Sequence, residues 1–185
     1  MLQHRSVRAA EILAAAREVL EEVGFDGLRM RTLATRLGIT APALYAHFRD
    51  KREIENALIA EGLREQGAAL AQARAAEPAR DETETIWAGF RQWALANPAL
   101  HKLIAARALD FDDEEVAAAE AVGVANVRRS TGGDRTAGVA FWAFAFGMVE
   151  LEISGRVPPG YDLDAAWTYG LRALTAALAE PPDGR

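Results

Sequence analysis

A run of helix signals between residues 27 and 52 constrains the fold of this chain more than any other feature. Residues 30–37 place apolar side chains at i, i+3, i+4 and i+7, which is the pattern of one helix face. Gly38 follows, where a helix C-terminus favours a left-handed residue. Thr40 can then cap a second helix, and Pro42 fits its first turn. Two short helices separated by a tight turn are therefore predicted here.

A third helix is predicted from Asp50, because Asp50 and Glu53 form an Asp-x-x-Glu version of the capping box. Two helices joined by a turn of three or four residues that contains Gly describe a helix-turn-helix, whose second helix can lie in the DNA major groove. A plain helical hairpin with a polar surface has the same caps and turn. The helix geometry alone leaves both interpretations open.

The residues expected on the outer face of this segment suit a DNA contact. Thr40, Ala41 and Ala43 are small enough for the backbone to approach the bases, while Tyr45 and His47 can donate to phosphate oxygens. The predicted DNA-binding residues are Arg29, Arg31, Thr32, Thr40, Ala41, Pro42, Ala43, Tyr45, His47 and Lys51. The predicted core of the segment is Leu28, Leu33, Leu37, Leu44 and Phe48.

The segment resembles the DNA-binding region of the TetR family of bacterial transcription regulators. The matching residues are Leu33-Ala34 and Leu37-Gly38-Ile39-Thr40-x-x-x-Leu44-Tyr45-x-His47-Phe48-x-x-Lys51. With the helix before it, the resemblance covers roughly residues 6 to 60. It implies an all-α homodimer with a C-terminal ligand-binding and dimerisation domain. It also implies that residues 40–43 meet base edges and that Tyr45, His47 and Lys51 hold the DNA backbone.

One position departs from the family pattern. The family usually places Ser or Thr where this chain has Arg29, to cap the first helix of the motif and to touch a phosphate. Arginine cannot cap a helix N-terminus, and its charge is unfavourable beside the positive end of the helix dipole. Arg29 can still contact a phosphate.

The charge distribution agrees with DNA binding at one end of the chain. The net charge is −6. Residues 1–52 carry nine Lys or Arg against six Asp or Glu, whereas residues 53–185 carry twelve against twenty-one. The basic excess therefore lies around the helix-turn-helix, where phosphates would be bound. A chance asymmetry of charge is the alternative.

Length and composition favour a folded protein in a reducing compartment. The chain has 185 residues, half of them apolar, and no Cys. It is long enough for a substantial core and lacks a disulfide framework or a thiolate metal site. No apolar stretch was expected to approach the roughly twenty residues that span a bilayer, and the N-terminus has no signal-peptide pattern. A cytoplasmic location without membrane association is therefore expected.

The predicted architecture is all-α, with about nine helices. An N-terminal three-helix domain (1–52) is joined by a linking helix (about 50–75) to a larger ligand-binding and dimerisation domain (76–185), with the boundary in the Ala-Glu-Pro-Ala break at 75–80. The acidic run 110–115 is interpreted as a helix start rather than a metal site, since successive carboxylates fan around a helix N-terminus.

Aromatic residues at helical spacing in the second half indicate either a core or a ligand pocket. The predicted pocket residues are Trp87, Phe90, Trp93, Phe111, Trp142, Phe146 and Glu150. The segment 142–155 also resembles a C-terminal domain type of the family that has Trp followed by His-Gly. Here Phe146-Gly147 stands in place of His-Gly, so any role of that His is absent.

The segment 135–153 is the most apolar in the chain. A helix that is apolar all round should be buried all round, and a partner subunit could supply the missing cover. The last two helices of TetR-like dimers pair into a four-helix bundle. The residues predicted at this dimer interface are Phe141, Phe144, Met148, Glu152, Trp167, Leu171 and Leu174.

The sequence gives little support for catalysis. The three histidines are at positions 4, 47 and 101, and no phosphate-binding glycine loop or metal-ligand spacing occurs. We expect no enzyme, cofactor or metal. The expected partners are an operator duplex, a small-molecule effector and a second copy of the chain. A helical ligand-binding protein that never meets DNA, and an architectural DNA binder without ligand control, remain as alternatives.

Overall fold

The computed structural model describes residues 6–77 and 81–179. Within these residues the chain forms nine α-helices and no strand, which confirms the predicted all-α class. The helices are α1 (Val7–Gly27), α2 (Met30–Leu37), α3 (Ala41–Tyr45), α4 (Lys51–Ala76), α5 (Glu82–Ala96), α6 (Pro98–Ala106), α7 (Glu114–Ser130), α8 (Arg135–Ser154) and α9 (Leu163–Ala179).

The chain divides into two compact units. The first comprises Met1–Glu65 and Asn97–Ala121, and the second comprises Gln66–Ala96 and Val122–Arg185. The first unit thus includes α6 in addition to the helix-turn-helix. A compact unit need not coincide with a functional domain, so the functional boundary near residue 76 stays a prediction. Residues 78–80 of the predicted break lie outside the described residues.

Local chain signals set the helix ends of the first unit as predicted. Gly38 has a φ of 62°, and its N–H closes the end of α2. Gly24 also has a positive φ, 70°, which places a kink inside α1. A further turn continues from this kink to Gly27. At the start of α4, Glu53 N–H donates to Asp50 Oδ1 at 2.9 Å.

Apolar side chains from five helices fill the core of the first unit. Those with at most 3% exposure include Ile12, Leu13, Val19, Leu20, Leu28, Leu33, Leu44, Phe48, Ile54, Leu58, Leu100 and Leu103. Of the five residues predicted for this core, Leu37 alone is only half-buried. Gly62 lets α6 approach α4, since a Cβ at Gly62 would lie 2.7 Å from the nearest Leu100 methyl.

The second unit is built on contacts of α8 with α5 and α9. The buried stripe of α8 consists of Gly138, Phe141, Ala145 and Val149. These positions recur every three or four residues, so they form one face of the helix. The ring of Phe141 stacks on that of Trp87 in α5, with centroids 5.9 Å apart and an interplanar angle of 15°.

A buried ion pair joins the same three helices. Glu152 of α8 has 8% of its side chain exposed and accepts from Arg91 of α5, through Nε at 3.0 Å and Nη2 at 2.8 Å. The indole N–H of Trp167 in α9 donates to the same carboxylate at 2.5 Å. Arg91 also reaches Asp164 at 2.5 Å. A carboxylate this well buried needs such partners to offset its lost hydration.

The single chain does not bury α8 all round, and the cover expected from a partner subunit stays a prediction. Only 22% of its most apolar window is buried, and Val139 is 70% exposed. The expectation about apolar stretches was wrong, since α8, with 20 residues and a mean hydropathy of 1.4 in that window, is by length and composition alone long and apolar enough to cross a membrane. Its buried stripe instead packs against α5 and α9, as in a helical bundle.

His101 of α6 is 1% exposed, and burial together with nearby Lys102 lowers the pKa of its imidazole to about 4. The unfolded chain, with a pKa near the usual value of about 6.5, binds a proton more readily, so stability should fall as the pH drops from 6.5 towards 4. We expect His101 to account for a loss of about 2 kcal/mol between pH 7 and pH 5. Thermal unfolding of the wild type and of His101→Gln at both pH values measures this loss, and an equal pH dependence in the two proteins would contradict it.

Candidate nucleic-acid interface

The core of the first unit fixes α2 and α3 relative to each other. Leu33 and Leu44, one from each helix, have no exposed surface, and Phe48 just after α3 is 3% exposed. Ile39 N–H donates to Ala34 O across the turn at 3.0 Å. The remaining faces of the two helices are turned outward, so the helix-turn-helix has a buried side and a solvent side.

The solvent side of α2 is basic. Arg29, Arg31 and Thr32 are exposed, and with Thr35 and Arg36 they line a shallow hollow of about 420 Å³. Thr35 and Arg36 were not among the predicted DNA-binding residues. The helical spacing from Arg31 and Thr32 could have indicated them. Arg36 also pairs with Glu22 and with Glu18 at 3.4 Å, which ties α2 to α1 and offsets part of its charge.

Arg29 occupies the N-cap position of α2 without a side-chain cap. The observation agrees with the expectation that arginine cannot accept the hydrogen bonds a cap provides. The first N–H groups of α2 therefore have no side-chain acceptor in the described residues. Free amides, the dipole and two arginines give this end of α2 an affinity for anions.

The α3 helix presents small side chains. Thr40 caps it, accepting from Ala43 N–H at 3.4 Å, as predicted. The side chains of Ala41, Pro42 and Ala43 are all exposed and all small. They leave room for the α3 backbone to come close to base edges in a DNA groove. Tyr45 is 50% exposed, and His47 is exposed beyond the end of the helix. The structure thus brings the predicted residues of α3 onto the solvent side.

Lys51 differs from the other predicted contacts because its ammonium is already engaged. Its Nζ donates to the carbonyl of Phe25 at 2.9 Å and pairs with Glu55 at 3.2 Å. An ammonium has three N–H donors, so one remains for a phosphate oxygen. A direct DNA contact by Lys51 stays a prediction, and its structural role was missed because Phe25 is 26 residues away.

Sequence comparison identifies the same segment. The sequence model of the family described as "Bacterial regulatory proteins, tetR family" matches residues 12–58, and that of "Tetracyclin repressor-like, C-terminal domain" matches residues 83–174. An uncharacterized HTH-type transcriptional regulator of Mycobacterium tuberculosis is 30% identical over 175 residues, covering 90% of this chain and 79% of that protein. The chain belongs to the TetR family. It is a transcription regulator with a DNA-binding helix-turn-helix.

Other relatives match this TetR-family chain over shorter or more divergent regions. The class A tetracycline repressor of Escherichia coli is 55% identical over 47 residues, which are 25% of this chain and only 22% of that protein. A TetR variant from Acinetobacter baumannii in complex with minocycline has a TM-score of 0.64 at 25% identity, covering 92% of this chain and 95% of that one. BioQ of Mycobacterium smegmatis has a TM-score of 0.68 at 24% identity, covering 92% and 97%. At 24% identity, the likeness to BioQ shows a shared fold alone.

In the second unit of this TetR-family protein, most of the predicted pocket residues form one cluster of rings. Trp142 lies 4.6 Å from Phe146 and 5.9 Å from Phe90, centroid to centroid, and Phe90 lies 5.9 Å from Trp87. Trp87 and Phe90 are each 1% exposed, and Trp93 of the same helix is 6% exposed. The rings on α5 therefore belong to the core, and Trp142 and Phe146 of α8 are half-buried beside them.

Two predicted pocket residues are not part of that core. Phe111 is 66% exposed in a turn of the first unit, so it does not belong with rings of the second. The prediction failed there because a single aromatic in a loop has no periodicity to place it. Glu150 lies four residues after Phe146 on α8 but is exposed.

Four predicted interface residues point into their own chain. Phe141 has no exposed surface, Trp167 and Leu171 are 4% and 8% exposed, and Glu152 is held by Arg91. Phe144, Met148 and Leu174 are half-buried, and the Phe144 ring lies 5.4 Å from that of Trp167. In a helix with no polar face, the apolar pattern does not say which side meets the core. For the four buried residues the predicted interface side is the core side, and the interface role of the three half-buried residues stays a prediction.

An open cleft of about 620 Å³ lies between α5 and α9. Arg91, Asp164 and Trp167 line it, and all three belong to the ion-pair network around Glu152. None of the predicted pocket residues lines this cleft, and its principal charged groups are already paired.

Arg31→Ala tests the basic face of α2. We expect DNA binding to weaken by about 5–10-fold across sequences and the slope of log K against log salt to fall by about 1, because one phosphate contact is lost. Fluorescence anisotropy with a labelled duplex at several salt concentrations measures both quantities. Arg128→Ala is the matched control, since it removes the same charge from an exposed position in α7 of the second unit. An unchanged slope in Arg31→Ala would remove Arg31 from the contacts.

Proposed function

We propose that this protein is a homodimeric repressor that binds a palindromic operator and is released by a small, largely apolar effector. The observation that carries the proposal is the solvent side of the helix-turn-helix, where an uncapped basic α2 lies beside an α3 with small exposed side chains. Residues 40–43 would read base edges, and Arg29, Arg31, Thr32, Tyr45, His47 and Lys51 would hold the backbone. We place the protein in the cytoplasm and assign it no catalytic activity.

Dimerisation through α8 and α9 is supported by the apolar surface that the single chain leaves exposed. Val139, Ala143 and Gly147 recur every four residues along the outer side of α8, and Leu151 continues that side at 39% exposure. Tyr169 on α9 is 79% exposed. Small residues let two helices approach closely, and a two-fold axis would pair each α8–α9 hairpin with its copy. TetR-family proteins function as dimers, in agreement with this arrangement.

We place the effector at the ring cluster rather than in the open cleft. The indole N–H of Trp87, a member of this cluster, is buried, and among the described residues it has no hydrogen-bond acceptor. A buried donor without an acceptor costs about 1–3 kcal/mol. A ligand with a flat apolar body and an acceptor oxygen would relieve that cost. In the cleft, by contrast, Arg91 is already satisfied by Glu152 and Asp164.

Release of DNA would follow from differential affinity. A dimer places its two recognition helices about one DNA turn apart, roughly 34–36 Å, to match the half-sites of a palindrome. An effector that binds better to dimers with another spacing would shift the population towards them. The shift cannot exceed the difference between its affinities for the two states.

Selection from a random duplex library tests operator binding and dimerisation together. We expect the purified protein to enrich an inverted repeat, with half-site centres about 10 base pairs apart, and to sediment as a dimer. Val139→Glu places a charge on the proposed apolar interface, so this variant should sediment as a monomer and bind the selected duplex at least 10-fold more weakly. Enrichment without symmetry would favour an architectural DNA binder. No enrichment from a folded dimer would favour a ligand-binding protein without a DNA role.

Fluorenone and fluorene form a matched pair for testing the effector site, because they differ by one carbonyl acceptor. We expect fluorenone to quench tryptophan fluorescence and to raise the thermal unfolding midpoint more than fluorene does. Trp87→Phe keeps an aromatic ring and removes the N–H donor. It should therefore weaken fluorenone binding by about 5–10-fold and leave the affinity for fluorene unchanged. Equal loss for both compounds would show that the indole N–H contacts no acceptor.

A further inference from the structure

Polar contacts tie the connection between α6 and α7 to the first turns of α4. Arg52 Nη2 donates to the carbonyl of Ala108 at 2.6 Å, and Asn56 Nδ2 donates to Asp110 at 3.0 Å. Between them, Glu55 accepts from Arg107 Nη2 at 2.9 Å. Positions 52, 55 and 56 lie on one helix face, so one side of α4 holds a segment more than fifty residues further along the chain.

Glu55 is the centre of this set of contacts. Only 4% of its side chain is exposed, and its carboxylate lies between two cations, Lys51 Nζ at 3.2 Å and Arg107 Nη2 at 2.9 Å. A buried carboxylate left with one partner is poorly compensated for its lost hydration. Arg107 therefore supplies the second cation that Glu55 needs beside Lys51.

Phe25, in the segment that precedes α2, also contacts Lys51 and Arg107. Its carbonyl accepts from Lys51 at 2.9 Å, and the guanidinium of Arg107 lies 5.3 Å from the centroid of its ring. Phe25 follows the kink at Gly24. It lies four residues before Arg29, the N-cap residue of α2, whose side chain makes no capping hydrogen bond. The segment that leads into α2 and the first turn of α4 are thus both held, directly or through Glu55, by Arg107.

We propose that Arg107 is a positioning residue for DNA binding. Arg107 lies outside residues 12–58, which match the N-terminal family model, and directly after α6. Through Glu55 it places the ammonium of Lys51, and through the ring of Phe25 it fixes the entry to α2. Without it, the entry to α2 and the Lys51 ammonium lose fixed positions, and DNA binding must order them at the cost of affinity. The proposal rests on the DNA-binding role and does not require an effector.

The experiment compares variants by affinity for the duplex enriched in the selection, with thermal unfolding measured in parallel. Arg107→Met alone removes one of the two cations that hold the buried Glu55 carboxylate, and this variant can unfold. The principal variant is therefore the double substitution Glu55→Gln with Arg107→Met, which removes both buried charges. We expect this variant to stay folded, to bind the duplex about 10-fold more weakly, and to show a shallower salt slope. Arg107→Lys keeps the charge, and an ammonium can also lie over the face of the Phe25 ring, so this variant should bind within about 3-fold of the wild type.

Arg64→Met is the matched control. Arg64 of α4 pairs with Glu115 of α7 at 3.0 Å within the same unit, and among the described residues it makes no hydrogen bond or ion pair with the helix-turn-helix. The control should keep wild-type affinity and slope. Wild-type binding by the double variant, or equal loss in double variant and control, would overturn the positioning role. A wild-type protein that binds no duplex even at low salt would instead refute the DNA-binding role, and the proposal with it.

Discussion

Each compact unit depends on a buried glutamate held by an arginine from a distant part of the chain. Glu55 is held by Arg107 in the first unit, and Glu152 by Arg91 in the second. Apolar packing alone allows helices to slide or rotate with little penalty, whereas a charge inside a protein has only a few acceptable positions. Each pair therefore restricts its helices to arrangements in which both charges stay paired. In the first unit the fixed arrangement includes the segments on either side of the helix-turn-helix.

Much of the architecture could be predicted from the sequence because its signals are local. The left-handed glycine at Gly38, the cap at Thr40 and the Asp50–Glu53 pattern each act within a few residues, and the structure confirms all three. The outer face of the helix-turn-helix follows from the same local geometry, since a short helix with one apolar stripe packs that stripe against the core and exposes its other side to solvent. The DNA role of individual residues on that face stays a prediction.

The parts that could not be predicted depend on long-range contacts or on helix phase. No local pattern links Arg107 to Glu55 or Arg91 to Glu152, because the partners are 52 and 61 residues apart. In α8, apolar residues occupy nearly every position, so periodicity gave no direction and the core residue Phe141 was placed at an interface. Phe111 was grouped with rings of the other unit for a related reason: composition shows that a residue is aromatic, and only the fold shows where it lies.

The bare start of α2 has a dynamic consequence. Because Arg29 provides no cap, the leading amides of this eight-residue helix depend on solvent in the free protein. That turn should consequently fray, exchange its amide protons quickly, and become protected only when an anion takes the place of water. The first turn of α2 would then combine low rigidity in the unbound state with electrostatic attraction to the duplex. Amide hydrogen exchange in α2, measured with and without the duplex, would report this change in protection directly.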